Sequence, residues 1–197
     1  MIERFPRRAP RRAAAAGVLL ALLLAACASA PRRPAVALPP LRLAPAALGC
    51  ELALQQRLHF QMGRAERDLD ALLEVDADEA RLLVQALGQV GVRLRWDGVE
   101  LHQERADWLP PQVRPERVLD DLQFAYWPVE AIRAALPLDW AVREGACERR
   151  LLRGGAAWLV VRYEEAGQLH LENVAEGYRL RIESVGTGAA GCSGGRS

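Results

Sequence analysis

The feature that most constrains this chain is a period-two alternation of apolar and polar residues, interrupted by turn signals about every ten residues. "RDLDALLEV" (67–75) sets Leu69, Ala71, Leu73 and Val75 on one side and Asp70, Leu72 and Glu74 on the other. "VGVRLRW" (90–96) sets Val92, Leu94 and Trp96 against Arg93 and Arg95, and "GYRLRIESV" (177–185) sets Tyr178, Leu180 and Ile182 against Arg179, Arg181 and Glu183. "GQLHLENV" (167–174) alternates in the same way, "CELALQQRLHF" (50–60) shifts from Leu52 and Leu54 to Leu58 and Phe60, and "ARLLVQAL" (80–87) and "AAWLVVRYEE" (156–165) read as further strands. Successive strand side chains point to opposite faces, so these segments predict an antiparallel sheet with one apolar and one wet face. Asp97-Gly98 predicts a two-residue type I′ hairpin that pairs Trp96 with Val99 and Leu94 with Leu101, and "DADE" (76–79) a polar turn.

Helix is expected only in the middle. Pro115 suits a first helical position, and Val118, Leu119, Leu122 and Tyr126 share one face at helical spacing. Trp127 precedes Pro128 and should break the run, after which Val129, Ile132 and Leu136 form a second short stripe ended by Pro137. On this wheel Phe124 and Trp127 make a second apolar edge, away from the core face, that would meet a cavity mouth, a membrane or a partner. Asp120 and Asp121 fall on the polar side and read as solvated. The fold class is therefore α+β, mainly antiparallel β, with a helix–kink–helix cover, because an apolar sheet face must be covered and these helices are the only obvious cover.

The ends have a different composition. "MIERFPRRAPRR" carries five arginines and one acid, and an uncharged run of 14 residues follows, ending at Cys27. A basic head before a short apolar run is a secretory signal. "LAAC" (24–27) resembles the bacterial lipobox, which implies cleavage after residue 26 and acylation of Cys27. Position 28 is Ala, not the Asp that retains such lipoproteins in the inner membrane, so the analogy implies an outer-membrane anchor facing the periplasm. Three acyl chains, at about 0.8 kcal/mol per buried CH₂, would hold a protein there durably. Residues 28–45 hold five prolines and read as a tether, 46–185 as one domain, and the Gly/Ser-rich 186–197 as a disordered tail.

Removing residues 1–26 leaves 21 basic residues (26 − 5) against 24 acidic (25 − 1), with no basic patch that suggests nucleic acid. Cys50, Cys147 and Cys192 allow one disulfide with a spare thiol, or three free thiols. His59, His102 and His170 lie in separate strands without ligand spacing, and none of Ser29, Ser184, Ser193 and Ser197 sits in G-x-S-x-G. No catalytic constellation, metal site or cofactor is implied, and the expectation is a non-enzyme.

The order of elements carries a further resemblance. "LALQQRLHFQ", "LPPQVRPERVLDDLQFAYWPVEAIRAALP" and "NVAEGYRLRIESV" resemble a family of bacterial outer-membrane lipoproteins with a domain of unknown function, some encoded in aryl-polyene biosynthesis clusters. That family looks like a distant relative of LolB, the outer-membrane receptor for lipoproteins. The resemblance implies an open antiparallel half-barrel of the LolA/LolB kind, whose concave apolar face is lidded by helices and accepts acyl chains. The implied partners are the membrane, a lipid or lipoprotein ligand and a periplasmic carrier. "RLLVQALG" (81–88) resembles the LolB loop whose leucine dips into the membrane, which makes Leu87 that leucine, although Gln85-Ala86 stands where LolB has Asn-Pro. Leu94, Trp96, Trp108, Leu122, Phe124, Tyr126, Trp127, Ile132, Trp140, Trp158 and Tyr178 fit either an ordinary core or the walls of such a cavity. The function expected is binding or transfer of acyl or polyene-type lipid, with non-catalytic docking of an envelope protein as the alternative.

Overall fold

A computed structural model describes residues 36–109, 113–164 and 167–187. The signal segment, Cys27 and the tail beyond residue 187 lie outside these residues.

Ten strands form one sheet in the order β5-β4-β3-β2-β1-β10-β9-β8-β7-β6. They are β1 (Leu52–Met62), β2 (Ala65–Val75), β3 (Ala80–Ala86), β4 (Gln89–Trp96), β5 (Leu101–Arg105), β6 (Trp140–Glu144), β7 (Glu148–Arg153), β8 (Ala156–Tyr163), β9 (Gln168–Asn173) and β10 (Tyr178–Thr187). Every neighbouring pair is antiparallel. The chain meanders out to β5, crosses through helices α1 (Pro115–Tyr126) and α2 (Val129–Ala135) to the opposite edge, and meanders back until β10 pairs with β1. Edge strands β5 and β6 are not bonded to each other, so the sheet is open and mainly antiparallel.

The alternation accounts for the two faces. Along β1, Leu52, Leu54, Gln56 and Leu58 are all buried, so the face does not shift; a glutamine occupies one inward position. Leu73 and Val75 on β2, Leu82 on β3, Leu94 and Trp96 on β4, and Tyr178 and Ile182 on β10 continue the buried side. The outer face carries exposed ion pairs, including each histidine beside a carboxylate: His59 with Asp68 at 2.8 Å, His102 with Glu100 at 3.7 Å and His170 with Glu164 at 3.4 Å.

The Asp97-Gly98 turn differs from expectation. Trp96 pairs with Leu101, and Leu94 with Gln103, so four residues rather than two make the connection. Asp97 Oδ1 accepts from the N–H of Val99 (2.9 Å) and Glu100 (2.8 Å), an Asx turn that costs less than forcing Asp97 into the left-handed region a type I′ turn needs. "DADE" forms a turn of the same kind, with Asp76 Oδ1 accepting from Asp78 and Glu79 at 2.8 Å each.

Helix α1 ends where Trp127 turns extended (φ −70, ψ 152) ahead of Pro128. Buried Arg149 caps its last turn, donating to the carbonyls of Phe124 (2.6 Å) and Trp127 (2.8 Å), and Tyr163 donates to Ala125 O at 2.7 Å. The expected free edge of this helix does not exist. Phe124 and Trp127 are both 0% exposed, and Asp120 and Asp121 are buried as well. The helix lies inside the fold because a segment read as tether packs over it. Residues 36–48 bury Leu38, Leu41, Leu43 and Leu48 and end in a 3₁₀ turn, Pro45–Leu48. Asp120 Oδ1 accepts from Leu41 N–H and Gln123 Oε1 from Leu43 N–H, both at 3.0 Å. Leu43 O accepts from Trp96 Nε1 (2.7 Å) and Gln123 Nε2 (2.8 Å), and Ala44 O from Trp127 Nε1 (3.0 Å). Within 28–45, the described residues 36–45 are thus a strap belonging to the domain. Its proline-rich backbone is satisfied by side chains rather than by a ladder. At the other end, β10 runs to Thr187, two residues into the expected tail. Cys50 is disulfide-bonded, and Cys147 is a free, exposed thiol.

Candidate functional site

The strand registers put the β1–β2 and β3–β4 hairpin tips, the end of β5 and the β9–β10 turn at one end of the sheet. At the other end the strap fills the concave face. Between the first end and α1 lies a cavity of about 270 Å³. Its floor is Leu58, Phe60 and Met62 of β1, Leu69 of β2, Leu82 and Val84 of β3, Val92 of β4, Leu171 of β9, and Tyr178, Leu180 and Ile182 of β10. Val118, Leu122, Ala125 and Tyr126 of α1 roof it, and Trp108, Leu109 and Val113 close one side. A Cβ on Gly91 would sit 3.1 Å from the Trp108 ring, so glycine lets that indole lie against β4. Met62, Arg67 and Trp108 form a rim that is partly exposed.

A small polar cluster interrupts the apolar wall. The Tyr178 hydroxyl donates to Asp121 Oδ2 in a short hydrogen bond and accepts from Asn173 Nδ2 at 3.1 Å. Asn173 Oδ1 in turn holds Glu176 N–H at 2.9 Å. Buried Arg117 donates to Leu38 O at 3.2 Å, is ion-paired with Asp120 Oδ2 at 3.2 Å, and its Nε lies 3.4 Å from Glu176 Oε1. Glu176 Oε1 also accepts from Arg114 at 2.6 Å. Gln56 Nε2 donates to Tyr126 OH (2.8 Å) and Ser184 Oγ (3.0 Å), which satisfies the one polar residue on the inward face of β1. Burial pushes the Asp121 carboxyl up to about 7, against the pull of the Tyr178 hydrogen bond and the Arg117 charge. Burial likewise raises Asp120, with Arg117 opposing, and holds Tyr178 well above its ordinary range beside the Asp121 carboxylate.

Against this geometry, the model of a family described as "Protein of unknown function (DUF3261)" matches residues 53–186. The chain belongs to that family. The matched DUF3261 region opens one residue into β1 and closes one residue before the end of β10, so it holds the whole cavity and both helices but not the strap. No curated protein matches the chain.

Four of the expected lining residues do line the cavity of this DUF3261 domain: Trp108, Leu122, Tyr126 and Tyr178. Leu94, Trp96, Phe124, Trp127, Ile132 and Trp140 are instead buried in the packed core, and Trp158 packs half-buried against it. Trp96 and Trp127 are claimed by strap carbonyls, and Phe124 lies under Arg149, whose guanidinium carbon is 5.9 Å from the ring centre. Sequence reasoning missed Gln56, Arg117, Asp121, Asn173 and Glu176. A signal for Asp121 existed: Val118, Asp121, Leu122 and Ala125 follow i, i+3, i+4, i+7, which put the carboxylate on the cavity stripe.

Leu87 sits at the tip of the β3–β4 hairpin, where Ala86 pairs with Gln89 across Leu87-Gly88. Both tip residues have positive φ (50 and 75), as a type I′ turn requires, and the Leu87 side chain is fully exposed at 101%. A bulky apolar residue in the left-handed region with nothing to pack on is an arrangement that folding stability does not favour.

Proposed function

We propose that this chain is an outer-membrane lipoprotein, anchored through acyl chains on Cys27 and facing the periplasm. It binds acyl or polyene-type lipid in the cavity and passes it between a periplasmic carrier and the membrane. The reading takes the open sheet with its helical cover to be a LolB-like half-barrel. The observation that carries it is the cavity itself: about 270 Å³ between the sheet and α1, with walls that are mostly apolar, broken by one polar cluster and by Gln85 and the rim residue Arg67. That is just below the usual range of small-molecule sites, roughly 300–1,000 Å³, and suits one unbranched chain. Burial alone, at about 25 cal/mol per Å² of apolar area, supplies affinity without any reacting group, so the role proposed is non-enzymatic. Leu87 supports the membrane side of the reading. It projects from the sheet end that carries the cavity rim, so lipid leaving the cavity would emerge where that leucine could enter a bilayer.

Protein docking, the alternative, has less support, because the aromatic edge it relied on is buried at Phe124 and Trp127. The test is mass spectrometry of the protein purified from its own membrane, paired with binding of the neutral dye N-phenylnaphthylamine. Co-purified lipid and saturable dye binding, lost when Leu122→Trp fills the cavity in a protein that still melts cooperatively, are expected. No lipid and no saturable binding would sink the reading.

A further inference from the structure

The two most exposed large apolar side chains among the described residues are Leu87, at 101%, and Leu138, at 108%. They share an end of the sheet. Leu87 tips the β3–β4 hairpin. Leu138 precedes β6, which starts beside the β7–β8 turn: Trp140 pairs with Arg153, and Arg153 with Ala156 across Gly154-Gly155. Alternate turns of an antiparallel meander fall at the same end, so the Leu138 turn joins the β1–β2, β3–β4 and β9–β10 turns there. In sheet order the two leucines stand on opposite flanks, and the rim residues Met62 and Arg67 lie on strands between them. Leu138 is held in place. Trp140 N–H donates to Pro137 O at 2.9 Å, closing a turn with Leu138 and Asp139 at its centre. Arg153 fixes that turn, pairing with Asp139 at 2.8 Å while its guanidinium carbon lies 5.5 Å from the Trp140 ring centre. The turn is secured by Asp139 and by buried Trp140, so folding stability does not require a leucine at its apex.

The strap fixes the end from which an anchor leaves the domain. Its Leu43 and Ala44 carbonyls accept from Trp96 and Trp127 at the packed end, whereas Leu38 O accepts from Arg117, which is paired with Glu176 of the β9–β10 turn. The described chain therefore begins, at Val36, two residues from this contact and at the same end as both leucines. Only nine residues separate Val36 from Cys27. At roughly 3.3–3.6 Å per residue they reach at most about 30 Å. Strand β1, with 11 residues, is itself about 36 Å long at about 3.3 Å per residue. A chain held in a bilayer at Cys27 can thus rest its cavity end on that bilayer, but is too short to turn back along the sheet and present the strap end. Resting on the lipoprotein reading above, we propose that this end is a docking face for a phospholipid bilayer, and that Leu138 enters the bilayer as a second contact, across the cavity mouth from Leu87.

The test uses the full chain with Cys27→Ser, so that adsorption to vesicles of phosphatidylethanolamine and phosphatidylglycerol reports the protein face and not an acyl anchor. Leu138→Asn should weaken adsorption by about tenfold or more, the size of one leucine side chain leaving an apolar phase. The double variant Leu87→Asn/Leu138→Asn should lose about the product of the two single effects, because both leucines insert at once. Val99→Asn is the control. Val99 is 90% exposed in the β4–β5 turn, at the strap end, and its substitution should leave adsorption unchanged. All three side chains are exposed, so cooperative melting should be retained in every variant. Adsorption that is absent in the parent, unmoved by Leu138→Asn, or lowered as much by Val99→Asn would overturn the docking face. N-phenylnaphthylamine binding on the same samples separates the two readings: normal dye binding beside any of those results leaves the lipid cavity standing. Adsorption that falls as expected with no dye bound and no lipid co-purified instead keeps the face and removes the cavity reading.

Discussion

The concave face of β1–β4 has two ends, and the same alternating pattern meets opposite fates there. At one end Leu54, Leu73, Leu94 and Trp96 lie beneath the strap and are packed solid. At the other, Leu58, Leu69, Val84 and Val92 look into a cavity. The residue types are the same and so is the strand geometry. What differs is the cover. The strap brings four leucines and enough carbonyls to satisfy two indole N–H groups, whereas the open end has only one face of α1 and the Trp108 side to close it. Alternation specifies which side chains turn inward. It does not say whether anything fills the space they face.

The largest effects should come from emptying the closed end. Trp127→Ala or Phe124→Ala should cost about 3–5 kcal/mol in urea or guanidinium unfolding, because the ring's contacts are lost on every side. Leu122→Ala or Leu58→Ala, at the open end, should cost less than about 2 kcal/mol, since those side chains already face a space with no partner atoms. Equal costs at the two ends would mean that they are not energetically distinct.

Next in size is a pH effect confined to the open end. The Asp121 carboxyl titrates near 3.8 unfolded and at about 7 in the fold. Between those values the folded chain binds the extra proton, so stability should be fully helped below about pH 4 and decline as pH rises to about 7. The loss is up to about 4 kcal/mol at about 1.4 kcal/mol per unit. Asp120 is raised by burial too and adds in the same sense, whereas Asp76, Asp97 and Glu116 are lowered and act below that window. Asp121→Asn should flatten most of the slope. A slope unchanged by that substitution would show that the carboxylate is not desolvated as its surroundings require.

The strap lends itself to a finer comparison. Gln123 holds Leu43 by both its N–H and its carbonyl. Gln123→Leu keeps the volume and leaves Leu43 N–H without its acceptor, so it should cost about 1–3 kcal/mol. Proteolysis should then cut 36–48 faster than the sheet, as expected of a segment held by a few side-chain bonds. Uniform protection would mean that the strap is held by its leucines alone.

These same groups explain what could and could not be seen from the sequence. Strands β1–β5 and β8–β10 were legible because their inward residues are mostly apolar, whereas β6 and β7, short and rich in charged residues, were not read as strands. Gln56 broke the β1 pattern, since its role depends on Tyr126 and Ser184, 70 and 128 residues away. Both helices were legible from Pro115 and from Trp127-Pro128. The faces of α1 were not, because a helical wheel assumes one buried side and this helix is enclosed by sheet on one side and strap on the other. Asp120 reads as a solvated residue until the strap's backbone is placed against it. The strap was hidden by its prolines, which signal an extended chain and say nothing of what that chain lies on. Of the cavity, the apolar floor was in the alternation, and the buried carboxylate was in the helical stripe. The space between them follows only from tertiary packing.

The smallest stability change should come from Leu87, where the sign matters more than the size. The tip residue has φ 50 and no packing partner, so Leu87→Asn, which tolerates the left-handed region better, should leave stability unchanged or raise it by less than about 1 kcal/mol. A residue retained only for the fold would show the opposite sign. The membrane readout should move the other way. Adsorption of the full chain carrying Cys27→Ser to vesicles of phosphatidylethanolamine and phosphatidylglycerol should fall by about tenfold or more in Leu87→Asn, because burying one leucine side chain is worth about 1.5–3 kcal/mol. Trp108→Ala, at the half-exposed rim of the same end, should give a second, partial loss if the rim and the tip approach the bilayer together. Unchanged adsorption in Leu87→Asn would detach the tip from any membrane role and leave the open end as a cavity alone.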